Sequence, residues 1–339
     1  MKSKPLFAVS SLLAASIILF FVLSISSLAS AQQTQSNISR GSSLTPTKTS
    51  SWLSKSGLYA FGFYQRGNGY SVGVTLAGIP KKTVVWTANR DVPPVSGNAT
   101  LLLTDTDGRL ILQTAQDQDT YIADIQQTAS YASMLDKGNF VLYNSDGGII
   151  WQSFTHPTFT LLPTQILPAP NDLSSSLFET DQSTGIFFLR MQRDRNLVLY
   201  PIGNPVPEYS YWQSETYDMG DKGSLNLDLD GRLYILNATG FTSKNLTSRV
   251  FRRRGTIFML KIDWDGLLRL YSHDLSNSSR WSILCNNTND GCAPRGLCGF
   301  NMFCVSSDQK PGCRCLPGFA EVNQGNRTSG CERNFAAES

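Results

Sequence analysis

The chain is 339 residues long, carries a net charge of +3 and has only 16% charged side chains. That length holds two or three domains, and so dilute a charge gives neither a nucleic-acid footprint nor a strongly acidic partner. Two histidines, His156 and His273, no Gly-x-Gly-x-x-Gly loop and no His-Arg-Asp loop leave little for catalysis to use.

In chain order, Lys2 and Lys4 precede an apolar run from Leu6 to about Leu28, and Ala29-Ser30-Ala31 has the small-x-small form of a cleavage site. This predicts a signal peptide over 1–31 and a mature chain from Gln32, with no further membrane span. The run is also long enough to cross a bilayer as an uncleaved anchor. Glycosylation acceptors at Asn37, Asn98, Asn237, Asn245, Asn277, Asn286 and Asn326, each in an Asn-x-Ser/Thr triplet, agree with export to the cell surface or the apoplast.

From 32 to 284 the pattern is all-β. Five runs share a polar or acidic pair, a turn residue and alternating apolar positions: Leu103 to Leu112, Leu135 to Tyr143, Met191 to Tyr200, Leu227 to Leu236, and Lys261 to Tyr271. Asp107-Gly108, Asp230-Gly231 and Asp265-Gly266 are tight-turn signals within them. Aligning Leu110, Phe140, Leu197, Leu233 and Leu268 gives separations of 30, 57, 36 and 35 residues. Repeats at that scale mean an internally symmetric β fold, of which a propeller is one form. The acid pairs Asp105/Asp107 and Asp228/Asp230 sit beside glycine turns and read as turn caps rather than as a glycosidase pair. Arg249 to Arg254 with Lys244 reads as a charged strand edge.

One run is chemically distinct. Read as a continuous strand, Gln192 to Tyr200 places Gln192, Asp194, Asn196, Val198 and Tyr200 on one face and Leu197 and Leu199 on the other. The first face offers a carboxylate acceptor, two amides, an apolar contact and a phenol, which suits the vicinal hydroxyls and C–H surface of a sugar. The aligned positions elsewhere are Asp105, Asp107, Arg109, Ile111 and Gln113; Leu135, Lys137, Asn139, Val141 and Tyr143; Asp228, Asp230, Arg232, Tyr234 and Leu236; and Asp263, Asp265, Leu267, Arg269 and Tyr271. Lys137 replaces an acceptor with donors and the arginines add bulk, so these four copies are expected to support the fold only.

All seven cysteines lie between Cys285 and Cys331. A segment that small needs staples, and in an exported chain its thiols oxidise. No histidine lies among them, which argues against zinc. Spacing alone leaves fifteen pairings of six cysteines open.

The Gln-x-Asp-x-Asn-x-Val-x-Tyr run resembles the mannose-binding signature of the bulb-type lectins, whose fold is a β-prism of three four-stranded sheets. Ser56 to Phe63, Val84 to Asp91 and Ile150 to Pro163 are similar to blocks of the extracellular part of plant G-type (S-locus-like) lectin receptor kinases, with Phe159 standing where that family has aspartate. Cys292, Cys298, Cys304, Cys313, Cys315 and Cys331 resemble an EGF-like module. The resemblance implies two bulb-type lectin domains in tandem, 32–157 and 158–284, hinged at the Pro157 to Pro170 linker, and an EGF-like module over 285–335. It also implies the pairs Cys292–Cys304, Cys298–Cys313 and Cys315–Cys331, and leaves Cys285 as an odd thiol where an apolar residue is expected. Asp290 alone makes no calcium site, so no metal or cofactor is expected. Such receptors continue into a PAN/apple module, a membrane helix and a Ser/Thr kinase. None of these is read in these residues, so no enzyme activity is expected of them. The implied function is mannose-type glycan recognition at Gln192, Asp194, Asn196, Val198 and Tyr200, with mannose-containing glycans or glycoproteins as partners. The competing class is a lectin fold used for protein recognition or self-association.

Overall fold

The structure, a computed structural model, describes residues 37–114, 119–201, 206–217, 222–248, 251, 255–276, 280–307, 310–324 and 327–334. The expected signal peptide, Asn277, Asn326, Arg249 and Arg252 to Arg254 lie outside them.

Three short strands open the first half, β1 (Ile38–Ser39), β2 (Ser43–Leu44) and β3 (Ser51–Leu53), and each forms the edge of a different sheet. Antiparallel meanders then complete the sheets. Beside β3 run β4 (Tyr59–Arg66), β5 (Gly69–Leu76) and β6 (Thr83–Thr87); beside β2 run β7 (Thr100–Leu103), β8 (Leu110–Gln113) and β9 (Asp119–Tyr121); beside β1 run β10 (Tyr131–Met134), β11 (Phe140–Tyr143) and β12 (Ile149–Gln152).

The second half repeats the plan. Its edge strands are β13 (Thr160–Leu161), β14 (Ile166–Pro168) and β15 (Asp172–Ser176). β16 (Thr184–Met191), β17 (Leu197–Pro201) and β18 (Trp212–Gln213) join β15; β19 (Gly223–Leu227), β20 (Leu233–Asn237) and β21 (Thr242–Asn245) join β14; β22 (Thr256–Ile262), β23 (Leu268–Asp274) and β24 (Ser282–Asn286) join β13. Each half is therefore a prism of three four-stranded sheets.

Period-two patterning drives the closure. On β20, Leu233 and Ile235 are buried while Tyr234 and Leu236 are half-exposed. Leu110, Phe140, Leu197, Leu233 and Leu268 each open the third strand of a sheet and are all buried. The longer interval between Phe140 and Leu197 is where the chain ends one prism and lays down β13 to β15. A sixth hairpin, β4–β5, carries no acidic turn: Arg66 pairs with Gly69 across Gly67-Asn68. The first core centres on Phe61 stacked on Phe140 at 3.7 Å, with Trp52 beside both. The second gathers Phe187, Leu189, Leu225, Leu260 and Leu270. Each such side chain contributes roughly 1.5–3 kcal/mol on burial.

Three expectations change. Residues 157–170 are not an extended linker, because they contain β13 and β14, which pair with β22 and β19. The second prism carries past residue 284: β24 includes Cys285 and Asn286, and the Asn287 side chain accepts from Leu268 N–H at 2.9 Å. Gln192 to Tyr200 is not one strand, since its first five residues are a turn.

The prisms are joined by the Val84 to Asp91 segment. The Arg90 guanidinium donates to the carbonyls of Ser174, Ser175, Gln182 and Ser183 at 2.8–3.1 Å and lies 5.3 Å from the Phe159 ring centre. Phe159 is thus a core side chain that also faces a cation. Burial lowers the Arg90 guanidinium to about 10, so it remains cationic at neutral pH. The Asp91 carboxylate accepts from Thr184 N–H and Oγ1, both at 2.8 Å. Leu162 and Met259 of the second half enter the first core.

In the cysteine-rich region, disulfides join Cys292 to Cys304, Cys298 to Cys313 and Cys315 to Cys331, the same pairs the resemblance implies. They staple two hairpins, β25 (Met302–Ser307) with β26 (Lys310–Cys315) and β27 (Phe319–Glu321) with β28 (Cys331–Arg333). Leu297 belongs to the second prism's core, and Arg327 stacks 3.4 Å over Trp264 at the β22–β23 turn. Cys285 is free and packs against that core as an apolar residue would; burial raises its thiol pKa.

Candidate functional site

The candidate site is the hairpin β16–β17. Its turn closes with Gln192 N–H donating to Asn196 O at 2.8 Å and Arg195 N–H to Gln192 O at 3.0 Å. The turn needs one residue in the left-handed region. Gly138, Gly231 and Gly266 supply it in the sister hairpins, whereas Arg195, at φ 74°, supplies it here.

Asn196 is 4% exposed and fully committed. Its Nδ2 donates to Gln213 Oε1 at 3.0 Å, and its Oδ1 accepts from Ser214 Oγ and Thr216 N–H. The Ser214 hydroxyl in turn accepts from Leu197 N–H. Asn139 makes the same set with Gln152, Ser153 and Phe154 N–H in the first prism. Trp151-Gln152-Ser153 and Trp212-Gln213-Ser214 are therefore matching locks between the third and fourth strands. The asparagine serves the fold in both prisms.

Gln192 Nε2 donates to the Tyr200 hydroxyl at 2.8 Å, leaving the phenolic proton to be donated elsewhere. Burial, the largest influence, raises the Tyr200 pKa. Tyr200 stacks on Phe188 at 5.4 Å, and Arg190, paired with Asp172 at 2.6 and 2.8 Å, lies over the Phe188 ring. Asp194 is exposed, and its Oδ1 accepts from Asn196 N–H at 3.0 Å. The five residues thus share one hairpin but not one open face. Asp194 is exposed and Gln192 half-buried, while Val198 and Tyr200 are only 2% and 1% exposed.

In three sister hairpins a guanidinium of the chain itself occupies the acids. Arg232 donates to Asp228 at 3.0 and 3.1 Å. Arg269 bridges Asp263 and Asp265 at 2.7–2.9 Å, and the Tyr271 hydroxyl donates to Asp263 at 2.6 Å. Arg109 pairs with Asp107 at 2.8 Å. In the β10–β11 hairpin Lys137 stands at the acid's position. Sequence reasoning had not foreseen these internal pairs, although an arginine two to six residues after each acid was the available signal. Among the described residues no cluster of His, Cys, Asp and Glu could hold a metal ion, and no helix is long and apolar enough to cross a membrane.

The D-mannose binding lectin family model matches residues 83–176 and the S-locus glycoprotein domain model residues 229–323. A G-type lectin S-receptor-like serine/threonine-protein kinase of Oryza sativa subsp. japonica is 35% identical over 91% of this chain. Another, of Arabidopsis thaliana, is 29% identical over 87% of it. The chain is a homologue of the G-type lectin S-receptor-like kinases. It spans 41% of the length of the rice kinase and 38% of the Arabidopsis one. Among solved structures it is similar to the lectin of Colocasia esculenta, at 27% identity and a TM-score of 0.28, covering 36% of this chain and 94% of that one. The β16–β17 turn falls in the interval between the segments matched by the D-mannose binding lectin and S-locus glycoprotein domain models.

Proposed function

We propose that this chain is an extracellular carbohydrate-recognition region of lectin-receptor type that takes mannose-type glycans at the β16–β17 hairpin. The observation that carries this reading is the state of Asp194. Among the described residues, it is exposed and bonded only to Asn196 N–H, whereas Asp107, Asp228, Asp263 and Asp265 are held by arginines. Its remaining oxygen lone pairs and the Gln192 carbonyl accept from vicinal sugar hydroxyls. Asn196 and Val198 build the hairpin beneath them, and the Tyr200 proton is available to a ligand that displaces its cover. Sequons at Asn37, Asn98, Asn237, Asn245 and Asn286 support export, as do the oxidised cysteines. Asn37, Asn98 and Asn245 are exposed and the other two half-buried.

A shallow turn buries little ligand, so one site binds free mannose weakly, on the order of millimolar. Clustered copies raise avidity by roughly 10² to 10⁴. Asp194→Asn keeps the shape and removes the charge, and is expected to weaken glycan binding by about 1.5–3 kcal/mol with little change in melting. Asp107→Asn is expected to leave glycan binding unchanged. Glycan arrays followed by calorimetry on both variants check this: equal losses, or none in either, would remove the hairpin as the site. The burial of Val198 and Tyr200 favours a second reading, recognition of protein rather than sugar. A folded chain that retains no glycan on the array would support that reading.

A further inference from the structure

A cavity of about 560 Å³ lies where the first prism meets the clamp segment, within the roughly 300–1,000 Å³ of small-ligand sites. Trp86, Trp151 and Tyr121 line it together with Asn89, Asp124 and His156. The two indoles meet edge to face at 6.0 Å, and the His156 ring stacks on Trp151 at 5.1 Å. Tyr121 is 54% exposed.

The rim is set before any ligand arrives. Asn89, at φ 42°, is held by its Nδ2 donating to Tyr121 O at 2.9 Å and by Val92 N–H donating to its carbonyl at 2.9 Å. The buried Arg66 guanidinium fixes the carbonyls of Arg90 and Val92 at 2.8 Å each. Arg90 then ties the same loop to four carbonyls of the second prism. A rim so braced loses little freedom on binding.

Several polar groups in the lining remain uncommitted among the described residues. Asp124 meets only the Gln126 amide, at 3.5 Å. The Asn89 amide oxygen, the Tyr121 hydroxyl and His156 Nε2 have no partner there, and the Thr158 hydroxyl is buried without one. Aromatic surface beside carboxylate and amide acceptors suits the C–H face and hydroxyls of a pyranose. The carboxylates of Asp91 and Asp124 oppose an anionic ligand, and the Arg90 cation in the same lining opposes a cationic one. We propose that this junction cavity is a second binding site, for a neutral mono- or disaccharide, independent of the β16–β17 hairpin.

Cellobiose, xylobiose and galactobiose, which are not mannose-type, titrated into the chain and followed by tryptophan emission and saturation-transfer NMR, test it. At least one disaccharide is expected to perturb the emission. Asp124→Asn and Tyr121→Ala are each expected to weaken that binding about tenfold, and Asp194→Asn to leave it unchanged. Thermal melts establish that the variants fold. If Tyr121→Ala does not, Asp124→Asn carries the test alone. The proposal fails if no disaccharide binds or if binding is equal in wild type and Asp124→Asn. It fails equally if binding is lost in Asp194→Asn, or if the cavity takes the peptide Gly-Lys-Gly in place of every sugar. Loss confined to Asp194→Asn would leave the hairpin site standing, and loss confined to Asp124→Asn would leave the cavity standing.

Discussion

Arg195 is the residue at which local and tertiary preferences collide. An L-residue in the left-handed region costs roughly 1–2 kcal/mol, and the sister turns avoid that with glycine. The side chain is also 6% exposed, its Nε has no partner and its Nη1 reaches only Ser243 Oγ, at 3.3 Å. In return, its stem fills space left by Gly223, where an added Cβ would lie 2.4 Å from Arg195 Cγ. Strain and the unpaired nitrogen outweigh one long hydrogen bond. Arg195→Gly is therefore expected to raise the unfolding free energy by about 1 kcal/mol, net of the flexibility glycine adds to the unfolded chain. Urea unfolding measures this, and a lower midpoint would mean that packing against Gly223 outweighs the strain.

At the scale of strands and turns, the Asn–Gln–Ser lock separates building from binding. Asn139→Ala and Asn196→Ala each take the acceptor from a buried serine hydroxyl, Ser153 or Ser214, and from a backbone N–H, that of Phe154 or Thr216, so each is expected to cost roughly 2–3 kcal/mol in chemical unfolding. Only Asn196→Ala is expected to lower glycan affinity, because only its hairpin carries an open acid. An affinity loss in both variants would show that the lock acts on binding from either prism. The hairpins were legible in sequence where Asp-Gly pairs marked turns between alternating strands, as at Asp230-Gly231. β4–β5 escaped because Gly67-Asn68 interrupts no acidic pattern. Edge strands of two to five residues such as β2 and β13 carry no periodicity at all, so Pro157 to Pro170 read as a linker. The residue types of the site were legible too, but not their burial. Trp212-Gln213-Ser214 lies on a neighbouring strand, and the arginines that close the sister acids act through side-chain reach.

For the whole molecule, the clamp ties the two prisms together through Arg90 and Asp91. Removing Arg90 leaves the carbonyls of Ser174, Ser175, Gln182 and Ser183 without their donor, and Arg90→Met is expected to cost roughly 2–4 kcal/mol. Calorimetry is expected to show a single transition in the parent chain and two in the variant; one transition in both would mean that Leu162 and Met259 in the first core suffice. Acid acts on the same joint. Burial raises the Asp91 pKa, but the Thr184 bonds and Arg90 outweigh it and hold the carboxyl below its ordinary value. Its contribution is therefore whole above the ordinary carboxylate range and is lost as pH falls through the lower folded value.

The order in which the edge strands are laid down fixes when each prism can close. Ile38 pairs with Ala132 and Ser43 with Leu102, so the opening segment waits for partners far along the chain, while the β3–β4 pair forms early. Such distant pairings put loop closure ahead of any energetic return, and proteins dominated by them fold in milliseconds to seconds rather than microseconds. During synthesis, the first prism stays unsealed until β10 to β12 have emerged, with β1 and β2 presenting unpaired edges in the meantime. The second prism repeats that interval with β13 to β15, so this chain passes twice through a stage in which open sheet edges are available to a neighbouring copy.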